Sequence, residues 1–379
     1  MKNRTLFVIS CSLLLPLGCG GDDPIGPFGT LTVATTSLPN AGRTLAYGAT
    51  LGATGGDADY TWSVTVGSLP TNLNLTATGE ISGTPTVAGT SDFTVAVVSG
   101  DGQTSQQQLS ITVSGRFLDP EFAVVVESDI LYATGSVRSP AVGEIDLLLD
   151  VYRPADANLP ALRPGFLLIH GGGFTGGSKT GATTVAFGNA YAQLGYVAVS
   201  IDYRLVGDDP PTEDLARDPA SPQSVAAAAA RVDAARAVEW MRANAATYRI
   251  DPNRIAIGGH SAGAITSLGV AYRDAGVDGA DVQVVLSLSG GLYGQESIID
   301  ADDPPLIMIH GTADPTVPFS LAEAVEAQAL SVGLIHEFYP LAGVGHGTPT
   351  VLAGTVVDGV TLADRIRKFF YVHLELGAL

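Results

Sequence analysis

The chain beyond Arg116 is constrained most by a series of short, almost entirely apolar runs. These runs are PGFLLIH, YVAVSIDY, RIAIGG, VQVVLSLSG and PPLIMIHG. Strands of a parallel sheet are buried on both faces, so they read as continuous apolar runs and not as alternating ones. Stretches of helical composition lie between the runs. This alternation predicts a doubly wound, mostly parallel α/β sheet with helices on both faces.

Three stretches of this part of the chain carry helix signals. SPQSVAAAAARVDAARAVEWMRANAATY opens with Ser221 as an N-cap and Pro222 in the first turn, and its alanines favour a helix. SLAEAVEAQALSVG ends at Gly333, a residue type that stops helices. LADRIRKFFYVHLEL closes the chain, and EIDLLLDVYRP alternates as a strand does. We therefore expect one α/β domain over residues 116–379.

A different composition precedes this domain, at residues 31–114. Thr, Val, Ser and Gly dominate there, and the runs TWSVTV, SDFTVAVV and LSITV alternate as half-buried strands do. TGE and SGDG supply turn residues, so we expect an all-β sandwich.

Residues 69–113 resemble the immunoglobulin-like domains of many bacterial surface proteins. The shared pattern consists of Leu73, Leu75, Gly79, Ile81, Gly83, Thr84, Pro85, Gly89 and Phe93. The resemblance implies an immunoglobulin-like sandwich that serves as a spacer or as an adhesive module. The spacer is favoured, because the sequence shows no aromatic strip or carboxylate cluster of the kind that binds sugar or calcium.

Residues 1–19 read as a signal peptide of the lipoprotein type. A basic start is followed by the apolar stretch 6–17, which is too short to span a bilayer. LLPLGC resembles a bacterial lipoprotein box with Cys19 as the lipidated residue, although Pro16 stands where leucine is usual. The alternative is an ordinary signal peptide with an incidental cysteine. We expect an exported protein, either a cell-envelope lipoprotein anchored to the membrane or a secreted one, with residues 20–30 as a polar linker.

Charge and cysteine content exclude several classes of function. The net charge of -19 offers no basic face for nucleic acid, so we expect no nucleic-acid partner. Both cysteines, Cys11 and Cys19, lie in the first twenty residues, which leaves the body without a disulfide or a thiolate metal site. We expect neither a metal nor a cofactor. The sequence does not indicate the oligomeric state.

NRIAIGGHSAGAITSLG, residues 253–269, places Ser261 at the centre of a G-x-S-x-G motif. An apolar run precedes the serine and a helix-compatible stretch follows it, which is the context of a nucleophile elbow. Gly259 and Gly263 would let the backbone turn tightly and pack closely. A purely structural strand-to-helix turn is the alternative interpretation of this motif.

A nucleophilic serine needs a base, and His346 is the candidate. It lies in the glycine-rich loop LAGVGHGTP, between a strand-like run and the last helix. We expect structural roles for His336, within that run, and for His373, on the last helix. His260, next to the serine, is expected to point away from the elbow.

The base in turn needs a carboxylate, and Asp314 is the candidate. It lies in the loop just after the buried run PPLIMIHG. Asp300, Asp302 and Asp303 precede that run, so they belong at the opposite end of the sheet.

LLIHGGGFTGG, residues 167–177, resembles the H-G-G-G loop of esterases and lipases. A phosphate-binding loop is the alternative, but the Gly-Lys-Ser/Thr that such a loop needs does not follow. The resemblance implies an oxyanion hole formed by the N–H groups of Gly172, Gly173 and Ala262. His170 and Gly171 would support this loop, as Gly259, His260 and Gly263 support the elbow.

Roughly from Phe122 to Leu376, the chain is similar to the α/β-hydrolase superfamily. The similarity rests on the motifs above and on the order serine, aspartate, histidine. It implies the α/β-hydrolase fold and a serine carboxylester hydrolase that forms an acyl-enzyme. His260 and Ala264 depart from the hormone-sensitive-lipase pattern, which usually has aspartate before the serine and two glycines at the end. This departure favours an uncapped carboxylesterase.

The expected substrates are short-to-medium acyl esters, either small molecules or groups borne on polymers. Rival functions are a xylan acetyl or feruloyl esterase, a lipase, a serine peptidase of the same fold, and an adhesive surface protein with an inactive hydrolase body. RLVGDDPPTEDLARDPASPQ, residues 204–223, is either a loop that shapes a substrate pocket or a solvated insertion.

Overall fold

The computed structural model of the protein describes residues 28–155, 162–211, 217–273 and 281–378. The predicted signal peptide, including Cys19, lies outside the described residues. The chain divides into two compact units. One unit contains the residues up to Pro39, Tyr47–Gly83 and Thr90–Ile111; the other contains Asn40–Ala46, Thr84–Gly89 and the chain from Thr112 onward.

The N-terminal region is built from strands, as predicted. The strands are β1 Thr32–Val33, β2 Ala41–Gly42, β3 Tyr47–Thr50, β4 Ala53–Thr54, β5 Tyr60–Gly67, β6 Leu73–Leu75, β7 Glu80–Gly83, β8 Gly89–Ser99 and β9 Thr104–Ser114. They form sheets of order β2-β9-β8-β5 and β3-β7-β6, and a β1-β4 pair. Inward-facing side chains alternate with exposed ones along β9, as expected for a strand with one buried face. The buried side chains of this region include Trp62, Ile81, Phe93 and Ile111.

The second unit is organised around one large sheet. Its strands are β10 Val124–Val137, β11 Gly143–Pro154, β12 Arg163–Ile169, β13 Val197–Ile201, β14 Ile250–His260, β15 Val284–Leu288, β16 Leu306–Gly311 and β17 His336–Leu341. Within the described residues, their order is β10-β11-β13-β12-β14-β15-β16-β17. In this order, all neighbouring pairs from β13-β12 to β16-β17 are parallel. The pairs β10-β11 and β11-β13 are antiparallel and form one edge of the sheet. The prediction of a mostly parallel sheet is confirmed. A small hairpin, β18 Val356–Val357 and β19 Val360–Thr361, follows it.

Helices cover both faces of this sheet. They are α1 Ala182–Gln193, α2 Pro222–Ala243, α3 Ala245–Tyr248, α4 Ala262–Arg273, α5 Phe319–Val332 and α6 Leu362–His373. Short 3-10 turns occur at Val206–Asp208, Glu296–Ile298, Thr348–Val351 and Leu376–Ala378. Leu167 and Ile169 of β12 pack in one core with residues of α2, α4 and α5, whereas Phe166 and Leu168 pack in the other with residues of α1 and α6. Successive side chains of one strand thus serve opposite layers.

The two helix boundaries that were predicted, at Ser221 and at Gly333, agree with the structure. Ser221 Oγ accepts a hydrogen bond from Ser224 N–H at 3.3 Å and Pro222 begins α2. Gly333 ends α5 with a φ of 81°, in the left-handed region that glycine tolerates best. The last helix, α6, stops at His373, within the stretch LADRIRKFFYVHLEL that carried its helix signal. In the described part of the chain, no helix is both long and apolar enough to cross a membrane.

Candidate active site

Ser261 occupies a sharp turn between the end of β14 and the start of α4. Its φ is +58°, a left-handed conformation that is uncommon outside glycine and is found at strained functional turns. Ser261 N–H donates to the carbonyl of Leu288 on the neighbouring β15 at 2.9 Å, which holds the turn against the sheet. A Cβ at Gly259 or at Gly263 would overlap with the carbonyl oxygen of Ile169 at the end of β12. The two motif glycines are therefore required by the close approach of this turn to β12.

A chain of hydrogen bonds joins the three residues that the sequence placed in separate loops. The distance from Ser261 Oγ to His346 Nε2 is 2.8 Å, and the distance from His346 Nδ1 to Asp314 Oδ2 is 2.7 Å. Ser261 follows β14, Asp314 follows β16 and His346 follows β17. Because parallel strands share one carboxyl edge, these three loops meet at the same edge of the sheet.

Asp314 is held as an ionised, oriented acceptor. Its side chain is fully buried, and its Oδ1 accepts the N–H groups of Thr316 at 2.8 Å and Val317 at 3.0 Å. Burial alone would raise the pKa of this carboxyl group, but the hydrogen bonds from His346 and from the two backbone N–H groups outweigh it and keep the pKa below its ordinary value. The negative charge favours a protonated His346 Nδ1, which leaves Nε2 free to accept a proton from Ser261.

His260 does not point away from the site, so that expectation was wrong. Its Nε2 lies 2.7 Å from the carbonyl oxygen of His346, and the two rings are 4.7 Å apart. The turn at Ser261 leaves His260 at the carboxyl edge of the sheet, where the His346 loop passes. Burial lowers the pKa of His260, so the neutral ring carries a proton on Nε2 and donates it to the carbonyl.

His310 also supports the site, and the sequence analysis did not identify it as a candidate. It is buried in β16, and its Nε2 lies 2.9 Å from the carbonyl of Val317 and 3.3 Å from Asp314 Oδ2. It thereby closes the turn that carries the carboxylate. Its spacing of four residues before Asp314 was the signal available in the sequence. Asp300, Asp302 and Asp303 lie before β16, at the opposite end of the strand, as expected.

The glycine-rich loop after β12 lies beside Ser261. Gly172 and Gly173 have φ values of +123° and +61°, and the carbonyl of Gly172 accepts the N–H groups of Thr175 and Gly176. The N–H groups of Gly172, Gly173 and Ala262 have no hydrogen-bond acceptor within the described part of the chain. A Cβ at Gly171 would stand 3.4 Å from Ser261 Cβ, so this loop runs directly beside the nucleophile candidate.

His170 anchors this loop. Its Nδ1–H donates to the carbonyl of Gly171 at 2.7 Å, and its ring stacks on Tyr203 with the centroids 4.1 Å apart. The Tyr203 hydroxyl donates to the carbonyl of His170 at 2.9 Å. Burial lowers the pKa of His170, which keeps the ring neutral in this stack.

Ser261 lies between two cavities. The first has a volume of about 460 Å³ and is bordered by the glycine loop, His346 and apolar side chains such as Phe187 and Leu288. The second has a volume of about 300 Å³ and lies between α2, α4 and the loop after β15. Arg217, Ser221 and Gln223 border this second cavity, so the described end of the predicted loop 204–223 contributes to a pocket wall.

The described residues hold no set of side chains that could together bind a metal ion. They contain no group of three or more His, Cys, Asp or Glu side chains that could hold an ion.

The strand order and the elbow define the α/β-hydrolase fold, and comparison with known proteins agrees. Residues 149–284 match the BD-FAE family, residues 218–356 match the Phospholipase/Carboxylesterase family, and residues 29–114 match an Ig domain family. A structure of esterase 2 from Thermogutta terrifontis, phosphorylated by paraoxon, superposes with a TM-score of 0.50 at 23% identity, covering 67% of this chain and 95% of that one. The chain thus combines an α/β-hydrolase fold with a preceding immunoglobulin-like domain.

Two curated relatives are esterases. Fumonisin B1 esterase of Sphingopyxis macrogoltabida is 32% identical over 155 residues, which make up 40% of this chain and 27% of the relative. Chlorogenic acid esterase of Aspergillus niger is 30% identical over 145 residues, 37% of this chain and 27% of the relative. The matched segments therefore span about a quarter of the length of each relative.

Proposed function

We propose that the protein is a serine carboxylester hydrolase. The observation that carries the proposal is the continuous chain of hydrogen bonds from Ser261 through His346 to Asp314. An adhesive protein with an inactive hydrolase body would have no need to keep these three side chains in register. The esterase relatives support the same conclusion for the α/β part of the chain.

The first half of the reaction acylates the enzyme. His346 Nε2 takes the hydroxyl proton as Ser261 Oγ attacks the ester carbonyl carbon, and Asp314 stabilises the imidazolium that forms. The carbonyl oxygen becomes an oxyanion and accepts hydrogen bonds from the N–H groups of Gly172, Gly173 and Ala262. Each such donor is worth about 3 to 4 kcal/mol of transition-state stabilisation. His346 then gives the proton to the alcohol oxygen as the carbon–oxygen bond breaks.

The second half releases the acyl group. A water molecule takes the place of the alcohol and loses a proton to His346 as its oxygen attacks the acyl carbon. Collapse of the second tetrahedral intermediate returns that proton to Ser261 Oγ and frees a carboxylic acid. The two cavities on either side of Ser261, of about 460 and 300 Å³, suit the two halves of a short-to-medium ester.

Substitution of the nucleophile tests this mechanism. Ser261→Ala removes the oxygen that attacks the ester, so kcat for 4-nitrophenyl butyrate should fall by about a million-fold while the thermal unfolding profile stays close to that of the parent. Ser331→Ala is the matched control, because its exposed hydroxyl lies on α5 and donates within that helix. Substantial hydrolysis by the purified Ser261→Ala variant would refute the proposal.

We further propose export, with Cys19 as a lipid anchor. This part rests on the sequence of residues 1–19. When the full-length chain is expressed in a bacterium that processes lipoproteins, it should partition into the detergent phase of a Triton X-114 extraction, because two or more acyl chains anchor a protein stably to a membrane. Cys19→Ser should move the protein to the aqueous phase. A parent protein found wholly in the aqueous phase would contradict the anchor.

A further inference from the structure

The second cavity differs from the first in charge. Arg217 and Arg231 border it, and among the described residues its wall contains no aspartate or glutamate. The first cavity is bordered by no Lys, Arg, Asp or Glu in the same part of the chain. The whole chain has 38 acidic and 19 basic residues and a net charge of -19, so the charge of this described wall is opposite in sign to that of the chain. Two arginine side chains, Arg217 and Arg231, therefore border the cavity on one side of Ser261.

Arg231 is built into the cavity wall by packing. It lies on α2, and 5% of its surface is exposed. Its side chain crosses α4 at Gly269, where a Cβ would stand 2.9 Å from Arg231 Cδ. A glycine in the interior of a helix costs about 1 kcal/mol relative to alanine. The absence of a side chain at position 269 therefore makes room for the stem of the arginine.

Arg217 stands at the rim of the same cavity. It is exposed, and its guanidinium lies over the ring of Tyr293, with the central carbon 5.4 Å from the ring centroid. A cation held against an aromatic face keeps its charge and its planar orientation. Neutral hydrogen-bonding side chains, including Ser224 and Thr316, complete the polar part of the wall.

We propose that this cavity binds a carboxylate carried by the ester substrate. A guanidinium has five N–H donors in a planar fork that matches a carboxylate, so it can hold an interaction within the protein and still donate to a ligand. Because Ser261 borders both cavities, an ester whose carbonyl lies at Ser261 Oγ extends one half into each. The neutral half occupies the first cavity and the anionic half occupies the second. This inference rests on the proposed esterase function and names its substrate class: esters that retain one free carboxylate.

Matched pairs of esters test the inference with the full-length protein. On the acyl side, the mono-4-nitrophenyl ester of glutaric acid is compared with 4-nitrophenyl 5-methylhexanoate, in which an isopropyl group replaces the carboxylate. On the alcohol side, 4-carboxyphenyl acetate is compared with 4-isopropylphenyl acetate. Dividing the kcat/KM of the parent by that of each variant, ester by ester, removes the intrinsic reactivity of the ester. The pair that discriminates shows which half of the substrate carries the anion.

Arg231→Gln should lower kcat/KM for one carboxylate ester by about ten- to one-hundred-fold, the worth of a charge-assisted hydrogen bond. The neutral partner should change by less than about threefold, and Arg217→Gln should show a smaller loss of the same kind. Arg231→Lys keeps a positive charge at the buried site, so it is the variant to measure if Arg231→Gln does not fold. Arg236→Gln is the matched control, because it makes the same change of charge on the same helix, on a side chain that donates to the Thr134 carbonyl.

Two results separate the failure of this inference from the failure of the proposed function. Hydrolysis of the neutral esters with equal effects of Arg231→Gln and Arg217→Gln on both members of each pair overturns the carboxylate site and leaves the esterase intact. Absence of hydrolysis of all four esters by the parent overturns the proposed function itself.

Discussion

At the scale of single residues, two histidines beside Ser261 have different tasks. The Nε2 atom of His346 contacts Ser261 Oγ, whereas His260 Nε2 donates to the backbone carbonyl of His346 at 2.7 Å. His346 is flanked by Gly345 and Gly347. The backbone of glycine has more conformational freedom than that of any other residue type. A hydrogen bond from the half-buried His260 ring to this glycine-flanked loop is therefore expected to reduce the range of positions that the His346 imidazole visits. We infer that His260 is a positioning residue.

Two substitutions of His260 separate positioning from simple stability. Leucine fills the space but has no N–H, so His260→Leu should lower kcat for a short neutral ester about tenfold through the loss of one buried hydrogen bond, with KM nearly unchanged. His260→Gln restores an N–H donor and should recover most of kcat. Activity per folded molecule, with the folded fraction measured by circular dichroism, is the quantity to compare. Equal kcat values for the two variants would show that the hydrogen bond does not position His346.

At the scale of elements, the strand-turn-helix unit around Ser261 was predictable from its sequence, but the reason for its glycines was not. Both glycines face the carbonyl of Ile169, which belongs to a strand about ninety residues earlier in the chain. The sequence motif shows where the two glycines lie. The steric reason for them, a close approach to the Ile169 carbonyl, becomes visible only once β12 is paired with β14. For the same reason, Asp314 and His346 could be chosen from their loops, while the contact between His260 and His346 could not.

The elements that the sequence analysis did not predict have weak local patterns. β10 is the edge strand of the sheet and is mostly half-buried or exposed, so it lacks the continuous apolar run that marked the inner strands. α1 contains Gly188 in its interior, against helix propensity. A Cβ at that position would lie 2.8 Å from the ring of Tyr152, so packing against β11 decides the residue there. Arg217 and Arg231 were missed because a charged cavity wall assembled from α2, α4 and distant loops has no local signature.

At the scale of the whole molecule, acidification has two opposing effects on stability. The net charge of -19 shrinks as the pH falls toward the pI of about 4.5, which relieves repulsion between surface charges. His170, His260 and His310 act in the other direction, because burial lowers the pKa of each of them in the folded protein. Below the ordinary histidine pKa of about 6.5, the unfolded chain binds protons that the folded chain does not, and stability falls. Asp314, whose pKa is also lowered, adds a further loss only in more acidic solution, near its ordinary carboxyl range.

Salt separates these two effects. In about 0.5 M NaCl, surface repulsion is screened over a few ångströms, whereas the buried rings are little affected. The free energy of unfolding of the α/β unit should then fall between about pH 6.5 and pH 5.5, by up to ~1.4 kcal/mol for each histidine that only the unfolded chain protonates. Trp62→Phe leaves Trp240 as the sole tryptophan, so urea unfolding followed by its fluorescence reports on α2. A stability that is constant or rises on acidification in high salt would contradict this prediction.

The hydrogen-bond chain of the site also has a consequence for the synthesis of the protein. Ser261 and His346 are separated by 85 positions in the chain, and the histidine comes last. On the proposed mechanism, a nascent polypeptide therefore carries Ser261 long before it carries the histidine that is to act as its base. A chain released before His346 is made contains Ser261 without the proposed base, so we expect such fragments to hydrolyse no ester. We therefore expect ester turnover in a cell-free synthesis reaction to report only on chains that extend beyond the His346 loop.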